Sequence, residues 1–538
     1  MPDPASEFDA LAEEFYAVWF RYRPDLALIA GVPGYACLLP AQDDDELGAL
    51  AGWLESLLLG LDEIDHRALD PDRRLDYALM AGSARLEYRE LRAFDWRRRD
   101  PLRFLPLAEI HRLTLEPPEG LRDWLAQLLV RVPEHLRHAQ GQLRAAAASL
   151  APSLVRVAAR EAEDGRCYLR ELIRGPWLRG CCHGLNELES LAELACDALA
   201  DFRELLLSEL LPEATGTLGC GEEHLMRRLA ELHFLEVEAV AVGESLSGAL
   251  ARVEDEIRRG AAPLEPFADS GPWESTPQRV PVDGPDCQAL CEALRREIQV
   301  SGLVSLPQKP LRFGVRAHCP GVDRSGVHYL AQGPGAGTLY LPPVGAGDAS
   351  PDQEPLWDLC LLAGWGGSHL FAFADRRRAE LMPRRLANGR SLTLGWHLYL
   401  DRLLSDQPGS DPGRRLLSLK RRQQQLHLAR LDLDLHRGRI DADEALTRLA
   451  AQGLKGPAAE ARLSQIARAP GDALAGALGW LLLEAARECR EAEQGSGFSP
   501  RGFHDRLASQ GTVPLPLVLH SAFGESLWRA ARARVLAD

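Results

Sequence analysis

The sequence contains little lysine and no long apolar segment. Lys309, Lys420 and Lys455 are the only lysines among 62 basic residues, so nearly all the positive charge is carried by arginine. No apolar run reaches the roughly 18 residues that a membrane-spanning helix needs. The N-terminus, Met1-Pro2-Asp3-Pro4, lacks the basic region and apolar run of a signal peptide. We therefore expect a cytoplasmic protein that does not associate with membranes.

Cysteine pairs with the spacing of a zinc site are also missing. The chain has 11 cysteines, an odd number, and no CxxC motif. Cys287 and Cys291 lie one helical turn apart, whereas Cys181 and Cys182 are neighbours in the sequence. Adjacent cysteines rarely chelate one ion, so Cys181-Cys182-His183 is a poor zinc candidate. Unpaired thiols are typical of a reducing cytosol.

The overall composition is that of a globular protein. The chain has 538 residues, of which 46% are hydrophobic, so it can bury one or more sizeable cores. The net charge of −16 is spread over the sequence without an acidic tail. This charge keeps the protein soluble and argues against a nucleic acid as its partner.

Apolar residues recur at helical spacing over most of the chain. Near the N-terminus one amphipathic stripe is formed by Phe8, Leu11, Phe15, Val18 and Trp19. Ser6 and Asp9 have the spacing of a capping box at the start of this helix. Similar stripes cover the segments 44–60, 120–150, 186–211 and 222–259. The pattern predicts a mainly α-helical protein.

Changes in composition divide the chain into four regions. An N-terminal helical region spans 1–261, and a connector with too many prolines for a helix spans 262–286. A helix followed by a small β-sheet is predicted over 287–356, and a second helical region over 357–538.

Three short β-like runs predict a small antiparallel sheet. They are Leu311 to Val315, Val327 to Leu330 and Thr338 to Leu341. The glycine-rich stretch Gly333-Pro334-Gly335-Ala336-Gly337 lies between the last two. A phosphate-binding loop would be followed by a helix, whereas a strand-like run follows here, so we interpret this stretch as a hairpin turn.

The C-terminal region contains several short motifs in a fixed order. They are Gly395-Trp396-His397-Leu398-Tyr399-Leu400-Asp401, Asp432-Leu433-Asp434-Leu435-His436, Ala469-Pro470-Gly471-Asp472-Ala473-Leu474, Phe503-His504-Asp505 and Gly511-Thr512-Val513-Pro514-Leu515. These motifs resemble the EGWALYAE, D-x-GLH, PGQAL, FHD and G-x-(L/V)-PL segments of the bacterial family called domain of unknown function 885. Members of that family are regarded as predicted zinc metallopeptidases. The resemblance implies a large helical, zincin-like (carboxypeptidase-like) architecture with the small sheet beside a central cleft.

The chain departs from this family at the residues that the chemistry requires. The family has a motif HExxPGHH and a glutamate that opens EGW. In such peptidases histidines and a carboxylate hold zinc, and a second glutamate takes a proton from the bound water. In this chain the His-Glu pair is replaced by Leu362 and Ala363, the first of the two final histidines by Ser368, and the EGW glutamate by Leu394. His369 matches the last histidine, and Gly476 stands where the family usually has tyrosine.

These replacements predict a pseudoenzyme. Leucine cannot coordinate zinc and alanine cannot accept a proton, so we expect no cofactor and no peptidase activity. Such a protein would bind a peptide, a small molecule or a protein partner in its cleft. Neighbouring side chains on a helix point apart, so Ser368 and His369 are not expected to act as a nucleophile with its base.

Two alternatives remain open at the level of sequence. The first is an active hydrolase with a relocated zinc site, whose candidate ligands are His369, His397, Asp401 and His436. In that case the histidines would coordinate metal instead of forming ordinary hydrogen bonds in a polar cavity. The second is a purely structural protein with a collapsed cleft. It predicts that Leu362, Ala363 and Leu394 pack in an apolar core without a pocket.

Overall fold

The protein is mainly helical, as the sequence predicts. A computed structural model describes residues 3–260, 284–316, 319, 328–332, 336–341, 356–374 and 382–536. Helices account for 75% of the structure, and a three-stranded sheet is its β component. Most of the predicted proline-rich connector, residues 262–283, lies outside the described residues.

Packing divides the chain into two compact units. The first consists of Met1–Thr217 with Val315–Gly326, and the second of Leu218–Gly314 with Val327–Asp538. The helices of the first unit are α1 (Pro4–Tyr22), α2 (Pro24–Ile29), α3 (Asp44–Glu63), α4 (Pro71–Arg89), α5 (Leu107–Leu115), α6 (Leu121–Leu129), α7 (Val132–Ala145), α8 (Pro152–Arg174), α9 (Pro176–Cys181), α10 (Asn186–Leu205) and α11 (Leu211–Glu213). Short 3₁₀ turns at Pro33–Tyr35, Trp96–Arg98, Pro101–Phe104 and Ala147–Ser149 and π-helical turns at Glu90–Phe94 and Leu206–Leu210 also belong to this unit.

The second unit contains the sheet and most of the motifs. Its elements are α12 (Glu222–Leu232), α13 (Ala239–Gly260), α14 (Gly284–Ser301), β1 (Leu311–Val315), β2 (His328–Gln332), β3 (Ala336–Leu341), α15 (Leu356–Ala363), α16 (Ser368–Ala374), α17 (Met382–Arg385), α18 (Arg390–Ser405), α19 (Pro412–His436), α20 (Ala442–Ala451), α21 (Pro457–Arg468), α22 (Asp472–Gln494), a 3₁₀ turn (Gly495–Gly497), α23 (Pro500–Ala508), α24 (Leu515–Phe523) and α25 (Glu525–Val535).

The first helix shows how a local pattern sets an element. Phe8, Phe15 and Trp19 are buried, as their helical spacing predicts. The start of the helix differs from the predicted capping box, because Pro4 is the first helical residue and the Asp3 side chain accepts a hydrogen bond from the amide of Ala5. Proline is favourable at this position, where its missing N–H would have no helical partner.

The two packing units do not follow the predicted regions. The sequence groups α13 with the N-terminal helices, yet α13 packs along α19 in the second unit. Its buried stripe includes Val242, Leu246, Ala249 and Val253. Periodicity marks such a stripe but does not identify the helix that will cover it, because that depends on contacts between distant parts of the chain.

The sheet is mixed, and the prediction of a fully antiparallel sheet is wrong. β2 and β3 are antiparallel, with His328 opposite Tyr340 and Gln332 opposite Ala336. The predicted hairpin is therefore confirmed, although residues 333–335 of its turn lie outside the described residues. The strand order is β1-β3-β2, so β1 lies beside β3 instead of beside its sequence neighbour β2. Because β3 is the central strand, all six of its residues are buried.

A close crossing of α18 and α22 positions the motif residues. A Cβ atom on Gly395 would lie 2.6 Å from the backbone of Gly479, and one on Gly479 would lie 1.8 Å from the carbonyl oxygen of Ser391. Only glycine permits so close an approach of two helices. Trp396 is fully buried next to the crossing, and its indole N–H donates to the carbonyl of Gly366, 2.8 Å away. The turn between α15 and α16 is thereby held against α18.

Candidate functional site: a buried ion cluster in the second unit

Three helices of the second unit bring four ionisable side chains together in the core. Asp358 lies in the first turn of α15, His397 and Asp401 lie on α18, and Arg421 lies on α19. His397 and Asp401 share a helix face because they are four residues apart. Asp358, His397 and Asp401 are all buried, and the Arg421 side chain is nearly so.

The Arg421 guanidinium lies between the two carboxylates. Its Nε is 2.5 Å from Asp358 Oδ1, and its Nη1 is 3.2 Å from both oxygens of Asp401. The indole N–H of Trp357 also donates to Asp401 Oδ1 at 3.4 Å, and His397 Nε2 lies 3.7 Å from Asp358 Oδ1. The planar guanidinium presents its donors in a fixed fork, which suits it to bind two carboxylates at once.

The two carboxyl groups differ in their tendency to ionise. Burial raises the pKa of Asp358 to about 6, and the negative charge of Asp401 adds to this rise. Burial acts on Asp401 in the same direction and is the largest single effect, but the charges of Arg421, His397 and Arg422 and a hydrogen bond from Ser418 together outweigh it and hold the pKa of Asp401 below its usual range. Asp401 is therefore the permanently charged partner of Arg421, and Asp358 is the group that can take up a proton near neutral pH.

The Arg421 guanidinium supplies the positive charge between the two carboxylates of the cluster. Removing one partner of a buried ion pair leaves an uncompensated charge in the core, at a large energetic cost. A metal ion bound by Asp358 and Asp401 would have to displace Arg421. Two of the four predicted zinc ligands, His397 and Asp401, thus lie together in this cluster. The Asp401 carboxylate, however, is bound by the Arg421 guanidinium.

Leu362 and Leu394, which the resemblance aligns with zinc ligands of the family, lie one helical turn from this cluster. Leu362 follows Asp358 by four residues on α15, and Leu394 precedes His397 by three on α18, so each shares a face with a member of the cluster. Leu362, Ala363 and Leu394 are all partly exposed. The fully buried core that a collapsed cleft would require is therefore not found at these three residues.

Leu394 and Gly476, which the resemblance aligns with a glutamate and a tyrosine of the family, lie against each other. A Cβ atom on Gly476 would lie 2.4 Å from Cδ2 of Leu394. The Leu394 side chain thus fills the space that a side chain at position 476 would need. Close packing of this kind tolerates no added methyl group without rearrangement. Leu394 and Gly476 therefore form one apolar contact between α18 and α22.

His369 is engaged by two hydrogen bonds. Its Nε2 lies 2.9 Å from the carbonyl oxygen of Lys309, which can only accept, so Nε2 carries the proton. Its Nδ1 then accepts from the hydroxyl of Tyr329, 3.1 Å away. Burial lowers the pKa of His369, which keeps the ring neutral. Neither ring nitrogen offers a lone pair to a metal, and the hydroxyl of Ser368 is directed to the carbonyl of Leu362.

His436 lies too far from His397 and Asp401 to share an ion with them. It is the last residue of α19, 15 residues after Arg421, which corresponds to about 22 Å along the helix. Its Nδ1 accepts from the amide of Cys220 at 3.2 Å, and its Nε2 donates to the carbonyl of Ile466 at 3.1 Å. Burial lowers its pKa to about 4, so the ring is neutral at physiological pH. The residues present therefore do not fit the relocated zinc site.

The family-like FHD motif has a packing role in this chain. His504 is buried between the carbonyl of Leu303, to which Nδ1 donates at 2.8 Å, and the hydroxyl of Tyr399, 2.8 Å from Nε2. The carboxylate of Asp505 accepts from both the amide and the hydroxyl of Ser305, each at 2.7 Å. The motif thus anchors the segment after α14 to α23.

Asp358 and Arg421 were not identified from the sequence. Asp358 is the only charged residue of an otherwise apolar helix, Leu356–Ala363, and this contrast could have marked it. Arg421 is one of several basic residues of α19. Its sequence context does not distinguish it from Arg415 on the same helix, which is mostly exposed. Only the packing of α19 against α15 and α18 selects Arg421.

Comparisons with known proteins agree with the resemblance over the C-terminal region. Residues 357–520 match the family described as "Bacterial protein of unknown function (DUF885)". No curated protein matches the chain.

Two solved structures have a similar fold over nearly their whole length. A "putative lipoprotein of unknown function" from Shewanella oneidensis is 15% identical, with 96% of this chain and 99% of that chain covered and a TM-score of 0.71. A "putative lipoprotein" from Colwellia psychrerythraea is 17% identical, with 99% of both chains covered and a TM-score of 0.74. At these identities the similarity concerns the fold. In this chain, no helix among the described residues has the length and apolar character to cross a membrane.

Proposed function

We propose that this chain is a metallopeptidase-like protein without catalytic activity, which binds an extended peptide on the surface that carries Leu362 and Leu394. One observation carries the proposal. Leu362 and Leu394, on the helix faces where the family would present zinc ligands, are apolar and partly exposed. One turn away, the carboxylates of Asp358 and Asp401 are paired with Arg421 inside the protein. A face without free ligand atoms suits apolar recognition better than hydrolysis.

The small sheet supports a peptide as the ligand. β2 is an edge strand, because the strand order is β1-β3-β2. Helix α16, which starts at Ser368, packs next to β2 through the contact of His369 with Tyr329. An edge strand can add an extended peptide through main-chain hydrogen bonds, and apolar side chains beside it can select the peptide's side chains.

The absence of a disulfide fits the cytoplasmic location that we include in this proposal. All eleven cysteines lie in the described part of the chain, and none forms a disulfide. Such a set of thiols is typical of a reducing compartment.

Peptide binding is tested with fluorescently labelled peptides and the full chain, by fluorescence anisotropy. The proposal expects saturable binding to the wild-type protein that Leu362→Asp weakens by about tenfold or more, which corresponds to roughly 1.4 kcal/mol. Val240→Asp, at an exposed apolar residue of α13, is the matched control and leaves binding unchanged. If no peptide binds, or if both variants behave alike, the binding proposal is wrong.

Loss of the zinc site is tested by restoring it. The variant Leu362→His/Ser368→His/Leu394→Glu supplies the ligand types of the family motif at its positions. We expect it to retain zinc after dialysis, measured by elemental mass spectrometry, whereas the wild type does not. Zinc at one equivalent in the wild type, lost in His397→Ala or Asp401→Asn, would instead establish the active hydrolase with a relocated metal.

A further inference from the structure

Three cysteines from two helices converge in the core of the second unit. Cys287 and Cys291 lie one turn apart on α14, and Cys360 lies on α15. The three sulfur atoms all lie within 4.8 Å of one another, and Cys287 Sγ is 3.5 Å from Cys360 Sγ. The exposed fractions of the three residues are 0%, 1% and 1%. We propose that these thiols form a binding site for a single soft metal or metalloid ion that takes three sulfur ligands.

The spacing of the sulfur atoms suits one shared ion. Metal–sulfur bonds of about 2.3 Å, at the angles of a three- or four-coordinate ion, place the sulfurs about 3.8–4.0 Å apart. The Cys287–Cys360 separation of 3.5 Å is slightly below this range and the other separations are at most 4.8 Å, so binding requires shifts of about an ångström or less. Gly364 lets the chain pass close to the site, because a Cβ atom there would lie 3.5 Å from Cys291 Sγ and 2.3 Å from the carbonyl of Cys360.

The ligand set indicates the class of ion. Thiolates select soft ions such as Cu(I), whereas structural zinc is almost always held by four protein ligands. The described residues provide no fourth His, Cys, Asp or Glu to this group. The burial of all three cysteines also disfavours the water ligand of an open zinc site. A three-coordinate thiophilic ion, for which Cu(I) and As(III) are suitable probes, matches these donors.

Binding exchanges protons and transfers no electrons. Each coordinating sulfur gives up its thiol proton as its bond to the ion forms. Arsenous acid, As(OH)₃, releases three waters as three As–S bonds replace three S–H bonds, and the product is neutral. Neutrality is favourable in a buried site, because an uncompensated charge there is costly. Cu(I) exchanges its solution ligands for the three sulfurs, and the thiol protons pass to solvent. Because three thiolates outweigh the single charge of Cu(I), this product is anionic, and burial favours the neutral arsenite product over it.

The site is tested on the reduced full-length protein with Cu(I) and arsenite, and with Zn(II) for comparison. We expect one equivalent of Cu(I) or arsenite to bind and to protect three of the eleven thiols from a thiol reagent. Loss of a residue that only supports a metal ligand weakens binding by up to about 100-fold. Cys360→Ser removes a ligand itself, so it should weaken binding by more than about 100-fold. Cys196→Ser, at a buried cysteine outside the group, is the matched control and should bind like the wild type.

A second measurement distinguishes a lost ligand from a lost fold. The circular dichroism spectrum and thermal unfolding of Cys360→Ser are compared with those of Cys360→Ala/Cys287→Ala, which keeps the core apolar. If one of these variants folds and does not bind, the proposal is supported. Failure of both probes to bind the wild type, unchanged affinity in a folded variant, or zinc binding tighter than Cu(I) would overturn it.

Discussion

Nε of Arg421 lies 2.5 Å from the carboxylate of Asp358, in the core of the second unit. The same guanidinium binds both oxygens of Asp401, so one arginine serves two carboxylates from different helices. The stability of this part of the fold should therefore depend on the Arg421 guanidinium, which holds α15, α18 and α19 together through two buried carboxylates.

Arg421→Met should strongly destabilise the protein. It leaves Asp358 and Asp401 buried without their counter-charge, and breaking a buried ion pair in this way costs about 3–5 kcal/mol. Chemical denaturation measures the loss of unfolding free energy. Arg415→Met is the control on the same helix, since its ion pair with Asp406 is largely exposed and should contribute less than about 1 kcal/mol. Equal effects of the two variants would show that the buried cluster is not a stabilising unit.

Acid should destabilise the protein in part through His436. Burial lowers its pKa to about 4 in the folded state, whereas an unfolded histidine titrates near 6.5. Between these values the unfolded chain binds more protons, so stability falls as the pH drops from about 6.5 to about 4.

The variant His436→Gln tests this pH dependence, because glutamine does not titrate. The slope of unfolding free energy against pH should become shallower by up to about 1.4 kcal/mol per pH unit in that window. His520→Gln, at an exposed histidine of α24, serves as the comparison. An unaltered slope in His436→Gln would mean that His436 is not neutral in the folded protein.

Gly479→Ala should disturb the crossing of α18 and α22. The added methyl group would overlap the carbonyl of Ser391, and overpacking of this kind costs about 1–3 kcal/mol or more. In Gly248→Ala on α13 the new Cβ would meet only the end of a flexible arginine side chain at 3.5 Å. There the higher helix propensity of alanine should leave stability unchanged or raise it by up to about 1 kcal/mol. Thermal unfolding of both variants checks the contrast, and similar shifts in Tm would contradict it.

Asp432→Ala should weaken the start of α22. Its carboxylate accepts from the amides of Gly471 and Leu474, at 3.1 and 3.2 Å, while Gly471 at the N-cap has no side chain to do so. Two buried amides without acceptors cost about 2–4 kcal/mol. Asp443→Ala, at an exposed residue of α20, should change the unfolding free energy by less than about 0.5 kcal/mol. Hydrogen exchange at Gly471 and Leu474 should accelerate in Asp432→Ala alone.

The motifs that resemble the family could be located from sequence, but most of their roles could not. The D-x-D-L-H and P-G-D-A-L segments meet because Asp432 on α19 caps α22. His504 of the FHD motif is a hydrogen-bonded core residue. A motif indicates which residues belong together. The partner atoms that each one satisfies depend on helices separated by tens of residues, and these partners decide whether a histidine can bind metal.

The sequence alone determined the helical class and the β2–β3 hairpin, whereas the assignment of Leu362, Ala363 and Leu394 to the family's zinc-binding positions stays a prediction. These features are local, because helical periodicity, turn residues and side-chain chemistry act within a few residues of one another. The tertiary structure decided which helix faces meet. It selected Arg421 from a basic run, brought Cys360 to Cys287 and Cys291, and set β1 beside β3. An amphipathic face specifies that it will be buried but not by what, since burial of apolar surface is non-directional.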